Sequence, residues 1–397
     1  MSMTGAITFA RGFKAAGVRA GIKQSGEDLA VICSDVPASC AGVFTTNVVK
    51  AAPVILSKAR LPRAGGRAIL VNSGNANACT GVQGAADAER SSAKLASLLG
   101  IDSEDVFIAS TGIIGHAMPM DRIETGIESA VKSLSVDGAS AARAIMTTDT
   151  YAKEAAVSVQ IGESEVRIGG IAKGAGMIDP NVATMLSFIT TDAAITPDML
   201  QLALSRSADV SYNCLTVDGD TSTNDTVIIL ANGIAGNGVI DSEGAAFDIF
   251  QKALDDVTTT LAKLIAADGE GATKLVHIIV EGGESYRACK QIAKIIANSP
   301  LVKTALFGCD PNWGRVLAAA GRAGIEFSPQ DAYLYFGNEA LVEAGEPVGF
   351  PAEDVHDYLT GKEVVVRLKI GSGPASARVW TCDFSYDYVK INAEYHT

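Results

Sequence analysis

Four histidines are all that the 397 residues supply, and none falls in an H-E-x-x-H or triad-like setting. No G-x-S-x-G and no Walker sequence occurs, so zinc-peptidase, hydrolase-elbow and P-loop chemistry lack their usual residues. Gly174-Ala-Gly176 lacks the third glycine of a dinucleotide fingerprint. The seven cysteines (33, 40, 79, 214, 289, 309, 382) are scattered, odd in number and without a C-x-x-C. That pattern argues against a disulfide framework or a zinc site and for reduced, partly buried thiols. Basic residues are also short, with 32 Lys and Arg against 45 Asp and Glu and a net charge of −13. Nucleic acid and anionic membrane surfaces both demand basic patches, so neither is an expected partner. An anionic substrate must then be held by local Lys or Arg against an unfavourable global field. No run of eighteen apolar residues exists to span a membrane, and no internal repeat or low-complexity segment is found.

What is present is apolar residue in quantity. Hydrophobic residues make up 48% against 19% charged, which suits a large core and disfavours long disorder. The length suits two or three domains, or one large interleaved unit. The first residues lack the apolar core of a signal peptide. They carry Arg and Lys and no acid before Glu27, a transit-peptide trait.

The stretch Lys173-Gly-Ala-Gly-Met-Ile-Asp-Pro-Asn-Val-Ala-Thr184-Met-Leu-Ser-Phe-Ile-Thr-Thr-Asp192 stands apart. Gly174 and Gly176 flank a small residue and permit close backbone approach. Asp179-Pro180-Asn181 is turn chemistry. Ala183-Thr184 then leads into the apolar run Met185, Leu186, Phe188, Ile189. Thr184 is placed where its hydroxyl could attack the preceding carbonyl and its freed amine then serve as base. A threonine before an apolar run also reads as a helix N-cap or the start of a strand.

Along the rest of the chain, residues 7–57 read as β-rich, with short runs at 29–33, 41–44 and 52–56 separated by polar turns. A strand at 67–71 precedes the polar loop Asn72-Ser-Gly-Asn-Ala-Asn77, and helical spacing follows over 83–99. The strand 106–109 ends in Ser110-Thr111-Gly112, which offers a hydroxyl and a backbone N–H at one point, as an oxyanion hole requires. A plain glycine turn fits that spacing equally. A helix-like stretch ends near Met146, and a β-ribbon over 155–171 delivers the chain to Lys173. Helices are expected at 197–209, 243–267, 285–297 and 316–322, and strands at 226–230, 275–280, 364–369 and 377–384. His277 falls inside a strand and reads as a core histidine. The loop at 211–225 places Asp218, Asp220 and Ser222 at alternate positions. It fails as a calcium loop because Thr223 and Ile229 stand where Gly and Glu are needed.

The string KGAGMIDPNVATMLSFITTDA closely resembles the self-cleavage segment of the ornithine acetyltransferases, the bifunctional glutamate N-acetyltransferases or ArgJ family. GFKAAGVRAGIK resembles that family's start, VNSGNANACTG and VDGDTSTND match further motifs, and the likeness spans nearly the whole chain. The N-terminus is therefore read as mature protein, and the cytoplasm as its address. The resemblance implies an α+β fold, with a layered α/β/β/α-type (DmpA/ArgJ-like) main domain over 1–275. A smaller C-terminal α+β domain would cover 276–397. It implies autocatalytic cleavage between Ala183 and Thr184, giving an α chain 1–183 and a β chain 184–397 that assemble as an α2β2 heterotetramer.

By the same resemblance Thr184 is the nucleophile and, through its new amine, the base, while Thr111 and Gly112 form the oxyanion hole. Thr150, Lys173, Thr184, Glu270, Asn392 and Thr397 would bind substrate, and the motif VNSGNANACTG would wall the site. The implied reaction moves acetyl from N-acetylornithine to glutamate, yielding ornithine and N-acetylglutamate, without metal or cofactor. Some members also accept acetyl-CoA, and nothing in this sequence settles that. A self-processing aminopeptidase shares the implied architecture, and a non-enzymatic binding protein is the alternative of a different class.

Overall fold

The computed structural model describes residues 4–179 and 185–394. In chain order the first unit contains β1 (Phe13–Val18), β2 (Leu29–Phe44), α1 (Ala52–Arg60), β3 (Arg63–Asn75), α2 (Gly81–Leu99), β4 (Val106–Ile113), α3 (Met120–Lys132) and α4 (Ala139–Ala144). It continues with β5 (Lys153–Ile161), β6 (Ser164–Lys173), β7 (Leu186–Thr191), α5 (Pro197–Val210), β8 (Thr226–Ala231) and α6 (Ala245–Ala267). Its strands form one sheet in the order β4-β3-β2-β8-β7-β6-β5, with β1 also pairing β2.

The long strand β2 turns that sheet into two layers. Its first residues pair with β1 and β3, and its last, Ser39 to Phe44, pair with β8. The register shifts between Cys33 and Ala38, where Ser34, Asp35, Val36 and Pro37 stand. A proline is tolerated in a strand at such a bulge. The polar residues at 34–37 therefore bend one strand, where the sequence suggested two strands and a turn.

The period-two pattern of the strands sorts side chains between layers. Leu29, Val31, Leu70, Val106 and Ile108 pack on α2 and α3 through Leu95, Ile123 and Ile127. The opposite faces of β2, β3 and β4 bury Ile32, Ile69, Val71 and Phe107 against Leu186, Phe188, Ile228 and Leu230 of β7 and β8. The outer face of that second layer sets Ile168, Ile189 and Ile229 against Leu200, Leu204, Phe250, Leu254 and Leu261 of α5 and α6. Helix, sheet, sheet and helix are thus stacked, the layered α/β/β/α arrangement expected from the resemblance.

The run at 52–56 is not a strand. It lies in α1, whose buried residues Pro53, Val54, Ser57 and Arg60 follow helical spacing, with a proline in the first turn. Two polar members of that stripe hid it from a hydrophobicity reading. Ser57 donates to the Ile108 carbonyl at 2.7 Å, and Arg60 donates to the Val106 and Ser103 carbonyls at 2.8 and 2.9 Å.

The remaining chain contains β9 (Leu275–Gly283), α7 (Tyr286–Ala297), α8 (Pro300–Phe307), α9 (Trp313–Gly321), β10 (Tyr333–Phe336), β11 (Glu339–Glu343), β12 (Glu346–Pro347), α10 (Ala352–Leu359), β13 (Glu363–Lys369), β14 (Ala375–Cys382) and α11 (Tyr386–Glu394). A second sheet runs β12-β11-β10-β13-β9-β14. One face carries Ile278, Val364 and Val366 onto Ile292, Ile296 and Leu359 of the helices. Trp380 and Cys382 of β14 join the core of the first unit instead, so the second sheet packs on that unit through its edge strand. His277 lies buried in β9, as its strand context suggested.

Candidate active site

Four chain segments converge at one end of the β layers on a cavity of about 150 Å³. Thr111 and Gly112 come from the end of β4, and Lys173 ends β6. Glu270 stands just beyond α6, and Asn392 comes from α11. All five were singled out from the sequence, and all five line this cavity. Met177 and Met185 line it as well, on either side of the residues not described. Ala183, Thr184 and Thr397 lie outside the described residues.

Local backbone geometry explains two of the glycines. Gly112 has a φ of 131°, and a Cβ there would lie 2.3 Å from the Gly74 carbonyl carbon of neighbouring β3. Glycine alone lets the end of β4 run this close to β3. At Gly176 a Cβ would lie 2.4 Å from the Glu270 carboxylate, so the absence of a side chain makes room for that group.

The cavity wall carries one lysine and several carboxylates. Lys173 is buried, its Nζ 3.5 Å from the Thr111 hydroxyl and 4.0 Å from Asp149 Oδ2. Burial lowers its pKa from the usual lysine value, and Asp149 opposes that shift. Glu270 is also buried, accepts a hydrogen bond from Asn392 Nδ2 at 2.8 Å, and donates its backbone N–H to the Ala175 carbonyl. The helix α11 places Asn392 against Glu270.

The polar 211–225 loop, for which the sequence suggests no catalytic role, supplies six residues of the cavity wall. Asp218, Asp220 and Ser222 through Asp225 all line it. Asp218 accepts from the backbone N–H groups of Met177 and Ile178 at 2.7 and 2.8 Å, tying the loop to the glycine-rich stretch. Asn224 Nδ2 donates to the Ala76 and Ser110 carbonyls at 2.6 and 2.8 Å, bracing the strand that carries Thr111. Asp225 is buried, its Oδ2 has no hydrogen-bond partner among the described residues, and burial pushes its pKa well above the ordinary carboxylate value. A run of acids, hydroxyls and Asn before a strand was the available signal.

Two expected positions lie elsewhere. The Asn72–Asn77 stretch is not on the cavity surface; it stands one layer behind, where Asn72 Oδ1 accepts from the Ser110 hydroxyl at 2.6 Å. Thr150 is exposed and does not line this cavity; its backbone N–H donates to Asp268 at 3.0 Å and its hydroxyl donates to the same carboxylate. The threonines that do line the cavity from that segment are Thr147 and Thr148.

Fold and cavity together define a layered α/β protein with a small polar site lined by a lysine, carboxylates and hydroxyls. The model of the ArgJ family matches residues 14–397, and the chain belongs to that family. The arginine biosynthesis bifunctional protein ArgJ of Symbiobacterium thermophilum is 49% identical over 399 residues, covering 100% of this chain and 99% of that protein. The protein of the same name from Thermotoga neapolitana is 49% identical over 393 residues, covering 98% and 99%. A crystal structure of the arginine biosynthesis bifunctional protein argJ from Bacillus halodurans aligns with a TM-score of 0.52 at 43% identity, covering 53% of this chain and 100% of that one.

Proposed function

We propose that this acyltransferase of arginine biosynthesis carries acetyl from N2-acetyl-L-ornithine to L-glutamate through an ester on Thr184. The observation that carries the reading is the convergence of Thr111, Gly112, Lys173, Glu270 and Asn392 on one cavity that Met185 also lines. An amino-acid substrate presents a carboxylate and an amine. Lys173 supplies the charge for the first, and Glu270, oriented by Asn392, supplies it for the second. Thr397 and Thr150 complete the proposed binding set; for Thr150 the role would pass through Asp268 and the neighbouring Thr147–Thr148 wall.

In maturation Thr184 Oγ attacks the Ala183 carbonyl, the amide nitrogen leaves as the new α-amine, and water hydrolyses the resulting ester. An unperturbed α-amine titrates at roughly 7.7–8.0, so near neutrality it can take the Oγ proton. In turnover Thr184 Oγ attacks the acetyl carbonyl of N-acetylornithine. Thr111 and Gly112 stabilise the oxyanion, and ornithine leaves with the proton. The amine of glutamate then attacks the acetyl ester and regenerates the hydroxyl, a ping-pong exchange of one amide for another. Water must be excluded while the ester stands.

The proposal extends to a catalytic unit over 1–275 and a smaller α+β unit over 276–397, supported by the two separate sheets. It includes α and β chains meeting as α2β2, and the cytoplasm as the location. No helix among the described residues is long and apolar enough to cross a membrane. The word bifunctional in the relatives' names supports a second activity, and acetyl-CoA-dependent acetylation of glutamate is the one we assign. Mixing N-acetylornithine carrying a labelled acetyl group with glutamate tests the central step. Label should reach glutamate with the native chain and not with Thr184→Ala. Release of free acetate without glutamate would instead indicate a hydrolase.

A further inference from the structure

A buried chain of alternating charge leads away from the cavity. Lys173 Nζ lies 4.0 Å from Asp149 Oδ2, Asp149 Oδ1 lies 2.6 Å from Lys153 Nζ, and that ammonium lies 2.5 Å from Asp268 Oδ2. Lys153 is wholly buried, and the side chain of Asp149 is too. Asp149 also accepts the backbone N–H of Gly174 at 2.7 Å and of Thr147 at 3.0 Å. Its carboxylate therefore holds both the segment after Lys173 and the segment that begins the Thr147–Thr148 wall. Two residues past Asp268 stands Glu270, which lines the cavity.

Stability alone gives weak reason for such a chain, because buried ion pairs can often be replaced by apolar residues without loss. Position gives a better one. Asp149 lies between two lysines, and only Lys173 faces the cavity. The charged groups acting on Lys173 are Asp149, Lys153, Glu270 and Asp225, with Lys23 adding repulsion from β1's loop side. Burial and the two lysines disfavour its charge, and Asp149 is the foremost group favouring it. Lys153 in turn holds Asp149 well below the usual carboxylate range although burial works against this.

We propose that Asp149 is a positioning residue for the transfer reaction, keeping Lys173 cationic and directed into the cavity so that it can meet a substrate carboxylate. The inference rests on the reading of Lys173 as the carboxylate partner. Without Asp149, Lys173 would lose the foremost group favouring its charge and give up its proton at a lower pH.

The test is Asp149→Asn, assayed for acetyl transfer and for the amine reactivity of Lys173. Transfer should show KM for N-acetylornithine raised about tenfold at pH 8, recovering toward the native value at pH 6, with kcat changed less. A purely structural defect would raise KM alike at both pH values and would overturn the inference. Labelling with fluorodinitrobenzene followed by peptide mapping should show Lys173 reacting at lower pH than in the native protein; an unmoved profile also overturns it. A moved profile with unmoved KM leaves Asp149 governing Lys173 and removes Lys173 from the substrate carboxylate, which separates the two claims. Should the single variant not fold, D149N/K153M takes the stranded ammonium away with the carboxylate and gives the same two readouts.

Discussion

Lys173 Nζ lies 3.5 Å from the hydroxyl oxygen of Thr111, although the two residues stand on strands of different β layers. The fold-over of the sheet at β2 brings the ends of β4 and β6 to the same place. A cation and an oxyanion donor therefore share one small volume, where a carbonyl and a carboxylate of one substrate would both find partners.

These two neighbours should fail differently when truncated. Thr111→Ala is expected to lower kcat by about 10²–10³ with KM little changed, since its hydroxyl acts on charge that develops in the transition state. Lys173→Ala should mainly raise KM. Steady-state kinetics at fixed pH separates the two, and an unchanged KM in the lysine variant removes its carboxylate role.

Gly176→Ala tests Glu270 without touching a charged residue. The new methyl would press on the Glu270 carboxylate, pushing it from Asn392. KM for N-acetylornithine should rise by about tenfold, in line with the loss of one charge-assisted hydrogen bond. A variant with native KM would show that Glu270 moves aside without consequence.

Asp225 makes a prediction about pH. Its pKa in the folded protein is raised by burial, so the folded state binds more protons than the unfolded one above roughly pH 4. Its contribution is thus fully present below the unfolded carboxylate pKa and declines as pH rises toward the folded value. Asp225→Asn should flatten the fall of Tm with rising pH. Thermal melts of both proteins over the same pH series check this, and parallel slopes would contradict it.

Much of this was legible beforehand because it is periodic or covalently local. The helix at 245–267 repeats Phe250, Leu254, Val257, Leu261 and Ile265 on one face, and the strands around Ile69 and Ile228 are short apolar runs with turn residues beside them. Thr111, Gly112 and Lys173 lie within recognisable strings. What the chain conceals is where polar residues are buried by tertiary partners. Ser57 and Arg60 turned a helical stripe into an apparent strand, since their hydrogen bonds run to Ile108, Ser103 and Val106, more than forty residues away. The resemblance alone puts Asn72 at the cavity wall, and its side-chain oxygen is taken by the Ser110 hydroxyl. Thr150 too has its substrate role from the resemblance alone, and its partner, Asp268, is 118 positions distant.

The inner face between the β layers should be the most sensitive part of the core. Phe188 is fully buried there, against side chains from both layers. Phe188→Ala is expected to cost about 3–5 kcal/mol of unfolding free energy, measured by denaturant titration. A loss below about 1 kcal/mol would mean that the layers collapse over the gap, which close packing does not favour.

The central claim concerns one covalent event and the group it exposes. Intact-protein mass spectrometry after brief incubation with N-acetylornithine, without glutamate, reads both at once. The account predicts two chains that meet at 183/184, with one acetyl increment on the chain that begins at Thr184 and none after glutamate is added. A single uncut chain in a preparation that still acetylates glutamate, or an acetyl group on any other residue, would contradict it.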